Sequence, residues 1–194
     1  MSSVSSLCVF CGSSMPPDPS MIEAADRLGR LTATAGRRLV YGGGGIGLMG
    51  TVARAAVAAG GAVTGVIPAF LLAFEVGLTE GAELEIVDSM HARKTRMFEL
   101  SDAFVALPGG LGTLDEVIEI VTWRQLGLHD KPVVLIDHDG YWQPLLSLVD
   151  HVIAKGFARA ESRHLFSVVS SVDEVHPALD HAPDRRTGAR PERL

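Results

Sequence analysis

The stretch of this 194-residue chain with the clearest chemical potential is Pro108-Gly109-Gly110-Leu111-Gly112-Thr113-Leu114-Asp115-Glu116. Three glycines in four positions leave backbone N–H groups uncovered and let a ligand approach the main chain closely. With Thr113 as a helix cap, the free N–H groups of the first turn would form an anion site. The residues therefore point to a phosphate-bearing ligand with Asp115 and Glu116 beside it. A structural reading competes, because Thr113-x-x-Glu116 also fits the capping box, in which Glu116 only satisfies a backbone donor.

A second charged group is Arg93-Lys94, after Met90-His91. Asp88 or Ser89 reads as the cap of a helix reaching about Ser101, which places both cations near a helix N-terminus. There they oppose the macrodipole at about 0.3–1 kcal/mol each, a sign that a neighbouring anion would reverse. The pair is either solvated surface charge or part of the site. The helix leads directly into the strand before the glycine turn, which favours the site.

Gly42–Gly50 contains a formal GxGxxG at Gly45, Gly47 and Gly50. A dinucleotide fingerprint also needs an acid about 20 positions on, to hold the ribose hydroxyls. The next strand, Ala62–Ile67, ends at Pro68-Ala69 without one, and Glu75 is the first acid after it. Tight backbone turning near a smaller ligand fits better than an NAD site. The 7 histidines show no metal-ligand spacing, and no G-x-S-x-G elbow is present, so no metal centre or serine triad is expected. Cys8 and Cys11 make a CxxC within an apparent strand, where residues three apart face opposite sides. Buried, reduced thiols are expected.

These groups need elements to position them. Apolar runs at Leu7–Cys11, Arg38–Tyr41, Ala62–Ile67, Leu84–Val87, Ala103–Leu107, Lys131–Asp137 and Leu165–Val169 read as strands. Helical spacing falls between them: Asp18 or Ser20 to about Ala35, Thr51–Ala59, the Arg93 helix, Leu114–Leu126, Tyr141–Lys155, and a short one from Val172 to Leu179. The alternation predicts an α/β fold, one parallel sheet with helices on both faces. Right-handed crossovers would gather the glycine loops on one sheet edge, where open α/β sheets bind ligands. Pro68–Ala82, with Phe70, Leu71, Leu72 and Phe74, is a long connection suited to a lid or a subunit contact.

Hydrophobic residues make up 47% and charged residues 21%, the balance of a soluble globular protein. One domain over residues 1–180 is expected, with residues 181–194 a disordered tail. The net charge of −6 is uneven. The tail sets four arginines against Asp184 and Glu192, leaving −8 on the body. An acidic body argues against nucleic-acid binding. No apolar stretch reaches membrane-spanning length and no signal-like N-terminus is seen, so the cytoplasm is the expected location.

Cys11-Gly12-Ser13-Ser14, Gly43-Gly44-Gly45-Ile46-Gly47-Leu48-Met49-Gly50, Met90-His91-x-Arg93-Lys94 and Pro108-Gly109-Gly110-x-Gly112-Thr113-x-x-Glu116 together resemble the LOG ("Lonely guy") family of cytokinin riboside 5′-monophosphate phosphoribohydrolases. The likeness covers about residues 6–180, and the last motif is the family signature, with Asp115 at a variable position. The resemblance implies a Rossmann-like single domain that cleaves the N-glycosidic bond of purine riboside 5′-monophosphates, giving free base and ribose 5-phosphate. It implies Arg93 and Glu116 as the catalytic pair. It implies substrate contacts at Lys94 and along Gly109, Gly110, Leu111, Gly112, Thr113, Leu114 and Asp115, with looser matches at Glu75 and Thr122. It further implies no cofactor and a homodimer or larger assembly with sites near the subunit interface. Some relatives carry a lysine decarboxylase label, for which no pyridoxal-binding context is found here. The alternative is a non-catalytic Rossmann carrier of a nucleotide or of the molybdenum cofactor.

Overall fold

Strands buried on both faces need no polar positions, and four of the strands meet that condition at every residue. In the computed structural model, which describes residues 4–72 and 80–180, seven strands form one parallel sheet. They are β1 (Ser6–Phe10), β2 (Arg38–Tyr41), β3 (Val63–Pro68), β4 (Glu83–Val87), β5 (Ala103–Ala106), β6 (Val133–Ile136) and β7 (Ser167–Val169). Their order is β4-β3-β2-β1-β5-β6-β7. The two outer strands, β4 and β7, are exposed at several positions, whereas β2 exposes only its first residue, Arg38.

The helices are α1 (Pro19–Thr34), α2 (Gly47–Ala58), α3 (Ala69–Leu72), α4 (Met90–Glu99), α5 (Leu111–Gln125), α6 (Gln143–Ala154) and α7 (Val175–Asp180). Leu7, Val9 and Cys11 of the β1 run pack with Leu28 of α1, Val52 of α2 and Val175 of α7. Cys8 and Phe10 face the other way, onto Met97 of α4, Val117 and Ile120 of α5, and Leu146 of α6. The molecule is thus the expected Rossmann-like α/β sandwich. The two cysteines are free, buried and on opposite faces.

Leu7 pairs with Leu39 on one side and with Ala103 on the other. The chain therefore builds outward from β1 to β4 and then crosses back to lay β5 against the other edge of β1. That reversal opens a crevice at the carboxyl ends of β1 and β5, the place where such sheets bind ligands. The loop after β1 and the glycine turn after β5 meet there, with Gly12 N–H donating to the Pro108 carbonyl at 3.1 Å.

Two helix starts differ from the sequence expectation. α2 begins at Gly47, within the glycine run, because Gly50 lies so close to the Gly45 carbonyl that any side chain would overlap it. Close backbone packing there overrides glycine's poor helix propensity. α5 begins at Leu111 with Gly110 as its N-cap, so Thr113 is inside the helix and does not cap it. Of the Pro68–Ala82 connection, residues 69–72 form α3 and carry Phe70 exposed. Phe74 and Glu75 lie outside the described residues, as does the expected tail.

Candidate active site

The glycine turn presents α5's first turn toward the crevice. Among the described residues, the N–H groups of Gly110, Leu111, Gly112 and Thr113 donate to no protein acceptor, whereas Leu114 N–H closes the first turn on the Gly110 carbonyl at 3.1 Å. A Cβ built at Gly110 or Gly112 would meet nothing within 4 Å. These two glycines are not demanded by packing; they keep backbone donors bare on the open side. Gly109 is different, since a side chain there would collide with Thr113. Thr113 is buried and packs against the turn, while Leu111 is 85% exposed, Leu114 is half-buried and Asp115 is exposed.

Glu116 sits deeper in α5 and is only 8% exposed. It is the sixth residue of the helix, past the position from which a side chain could serve the N-cap. Among the described residues its carboxylate accepts no hydrogen bond. The capping-box alternative is therefore excluded. Burial pushes the carboxyl up to about 7, against the pull of the Arg93 charge and with a smaller push from Asp115. A buried acid left without a protein donor is costly, and carboxyls perturbed in this way cluster at functional sites.

Arg93, on α4, is equally buried at 8%. Its Nε donates to the Val66 carbonyl at 3.2 Å and its Nη2 to the Gly42 carbonyl at 2.9 Å. Its Nη1 lies 3.9 Å from the Met90 sulfur. The guanidinium is thus pinned over the carboxyl ends of β2 and β3, a fixed positive charge rather than a free arm. Gly42 makes room for it, because a Cβ at that position would overlap Nη2. The charges of Arg93 and Glu116 act on each other and on the Cys11 thiol at the end of the β1 run. Both charges are therefore within electrostatic reach of the carboxyl end of β1.

Lys94 points to the neighbouring helix. Its Nζ reaches Asp115 and Glu119, each at 3.1 Å. These are the anions that reverse the unfavourable placement of a cation early in α4. Thr122 lies about 13 Å further along α5 than Thr113, exposed, with its hydroxyl returned to the Ile118 carbonyl at 2.7 Å. Thr122 is thus not gathered with the others in this chain. Glu75 falls among the residues that are not described.

Two site features escape sequence reasoning. Gly42 carries no motif of its own beyond the glycine run, and its need becomes visible only when Arg93 is seen against it. Tyr141, after β6, donates its hydroxyl to the Gly109 carbonyl. The signal for it was available: Asp139-Gly140 is a turn dipeptide at the carboxyl end of a strand, on the same edge as the glycine loops.

Comparison with known proteins fits this geometry. The profile of a family described as "Possible lysine decarboxylase" matches residues 49–179. The chain is 44% identical to the cytokinin riboside 5′-monophosphate phosphoribohydrolase LOG1 of Arabidopsis thaliana, covering 91% of this chain and 84% of that protein. It is 48% identical to the probable cytokinin riboside 5′-monophosphate phosphoribohydrolase LOGL9 of Oryza sativa subsp. japonica, over 91% of this chain and 78% of that one. Among solved structures, the molybdenum cofactor carrier protein of Chlamydomonas reinhardtii superposes with a TM-score of 0.69 at 23% identity, covering 90% of this chain and 95% of that chain. That likeness is one of fold.

Proposed function

The chain belongs to the LOG family of cytokinin riboside 5′-monophosphate phosphoribohydrolases, and from that premise we propose that it hydrolyses the N-glycosidic bond of purine riboside 5′-monophosphates. The products are the free base, a cytokinin or adenine, and ribose 5-phosphate. The observation that carries this reading is Glu116: a buried carboxylate without a hydrogen bond, beside a pinned arginine and one helical turn below four bare N–H groups. Identity of 44–48% to phosphoribohydrolases, against 23% to carriers, favours the hydrolase over the carrier.

The phosphate docks on the N–H groups of Gly110 through Thr113, where the helix dipole favours an anion. The ribose then lies over Glu116. Departure of the base turns C1′ toward an oxocarbenium ion, and a preorganised carboxylate stabilises that positive charge. Arg93, spent on two backbone carbonyls, keeps Glu116 ionised and aimed rather than clamping phosphate. Binding energy from the phosphate, remote from C1′, orients the sugar. Free nucleosides are accordingly poor substrates, and activity on AMP resembles that of an AMP nucleosidase.

The working unit is a homodimer or a larger assembly. Leu111, Ile118, Leu126 and Leu128 expose an apolar stripe along α5 and just beyond it, beside the glycine turn, and such a stripe suits burial against a second copy.

Incubation with AMP and with its N6-isopentenyl derivative tests the activity. Free base and ribose 5-phosphate are expected from at least one of them; folded protein releasing neither base would remove the assignment. Glu116→Gln separates enzyme from carrier. It should lower turnover about 10²–10³-fold, the usual size of one lost transition-state contact, and leave nucleotide affinity within about threefold by calorimetry. Unchanged turnover would rule out the role given to Glu116.

A further inference from the structure

We infer that Tyr141 is a positioning residue that sets the direction of the phosphate-binding amide of Gly110. The inference rests on the phosphate site proposed above and adds a residue to it.

The geometry begins with one peptide unit. The Gly109 carbonyl and the Gly110 N–H belong to the same planar trans peptide, so they point in opposite directions. Tyr141 donates its hydroxyl to that carbonyl. Fixing the oxygen toward Tyr141 turns the Gly110 N–H the other way, where among the described residues it donates to no protein acceptor. A glycine pair has little intrinsic preference for one peptide orientation. The reverse orientation would put a carbonyl oxygen where the anion must sit, so an external hydrogen bond has something to decide.

Tyr141 is itself held by a built turn. Asp139 stands at φ 50 and ψ 35, the only described non-glycine residue with positive φ, and Gly140 follows at φ 73. Aspartate and glycine both tolerate left-handed backbone in turns, and a turn of this kind is fixed by the bonds around it. Asp137 closes it: its Oδ1 accepts from Trp142 N–H at 2.7 Å and its Oδ2 accepts from the Gln143 amide. Tyr141 N–H closes on the His138 carbonyl at 3.1 Å. His138 in turn meets the Ser20 hydroxyl at 2.8 Å, which ties the β6 loop to the start of α1. The tyrosine stacks edge-on against Trp142, 5.1 Å between ring centroids. The loop after β6 thus grips the turn after β5 from outside the crevice, with no side chain placed between the glycines and a ligand.

Tyr141→Phe keeps the ring and removes only the donor. Competitive inhibition constants for ribose 5-phosphate and for adenosine are measured on wild type and variant, with AMP as substrate. The variant should weaken ribose 5-phosphate inhibition and raise the KM for AMP about tenfold, the value of one charge-assisted hydrogen bond. Adenosine inhibition should hold within about twofold, since adenosine carries no phosphate to reach the Gly110 amide. Equal losses for both inhibitors, or none for either, would overturn the role of Tyr141 while leaving the phosphate site standing. Wild-type protein that binds ribose 5-phosphate no better than ribose would overturn the site and this inference together. Should Tyr141→Phe unfold, Asp137→Asn, which loosens the turn that holds the tyrosine, decides instead: it should weaken ribose 5-phosphate inhibition and spare adenosine inhibition, and equal effects on both would refute the inference.

Discussion

At the residue scale, one carboxylate concentrates the cost and the use of the site. Glu116 is raised to about 7 from an ordinary 4.5, first by burial. As an electrostatic stabiliser or base it must be ionised, so kcat/KM should rise with pH through an apparent pKa near 7 in the free enzyme and level off above it. A flat profile between pH 5.5 and 8.5 would contradict that role. The same shift fixes a stability effect of opposite sense. The folded protein holds the extra proton between about 4.5 and 7, so this contribution is full below 4.5 and lost as pH rises through 7. Glu116→Gln should therefore be more stable than wild type at pH 8, by roughly 1–3 kcal/mol, with the gain shrinking toward pH 4. Scanning calorimetry at the two pH values reads it. Gly42→Ala makes the complementary test. Its methyl group has no room beside the Arg93 guanidinium, so it should lower turnover about as much as losing Arg93's alignment, at a stability cost of about 1–3 kcal/mol.

The elements explain which sequence expectations survive and which shift. β2 is found with the bounds its apolar run suggests, and α1 takes Asp18 as its N-cap, with the side chain accepting from Ser20 N–H. Such local signals carry their own hydrogen-bond geometry, so they are legible without the fold. Thr113 misleads for the opposite reason. It has the chemistry of a cap, but the chain is already helical from Leu111, because the Pro108–Gly110 turn is anchored on Gly12 across the sheet. The Lys94 clamp is another non-local effect. Two anions from α5 answer a cation that α4 alone would disfavour. Lys94→Met should cost about 1 kcal/mol by denaturant unfolding. Glu119→Gln should cost more than Asp115→Asn, since the Glu119 side chain is 24% exposed and that of Asp115 is 60%.

At the scale of the whole molecule, the sheet order makes the site and the apolar stripe on α5 extends it outward. Among the described residues no helix is long and apolar enough to cross a membrane, and the exposed Ile118 and Leu128 carry the assembly proposed above. Ile118→Asp should shift the protein toward monomer in sedimentation velocity with the fold kept. A wild type that sediments as a monomer would remove the proposed assembly.

By itself the sequence determined the strand and helix succession and the place of the glycine turn at the end of a strand, while the pairing of Arg93 with Glu116 was an expectation from family resemblance. Periodicity, caps and glycine clusters are written in neighbouring residues, so they need no knowledge of the rest. Only the tertiary structure decided that Glu116 is unpaired rather than a cap partner, that Arg93 is pinned on the carbonyls of Gly42 and Val66, and that Tyr141 holds the Gly109 carbonyl. Each of those joins strands or helices far apart in the chain. The crossover from β4 back to β5 is what brings them to one edge, and burial there, not residue type, sets the charge each side chain can hold.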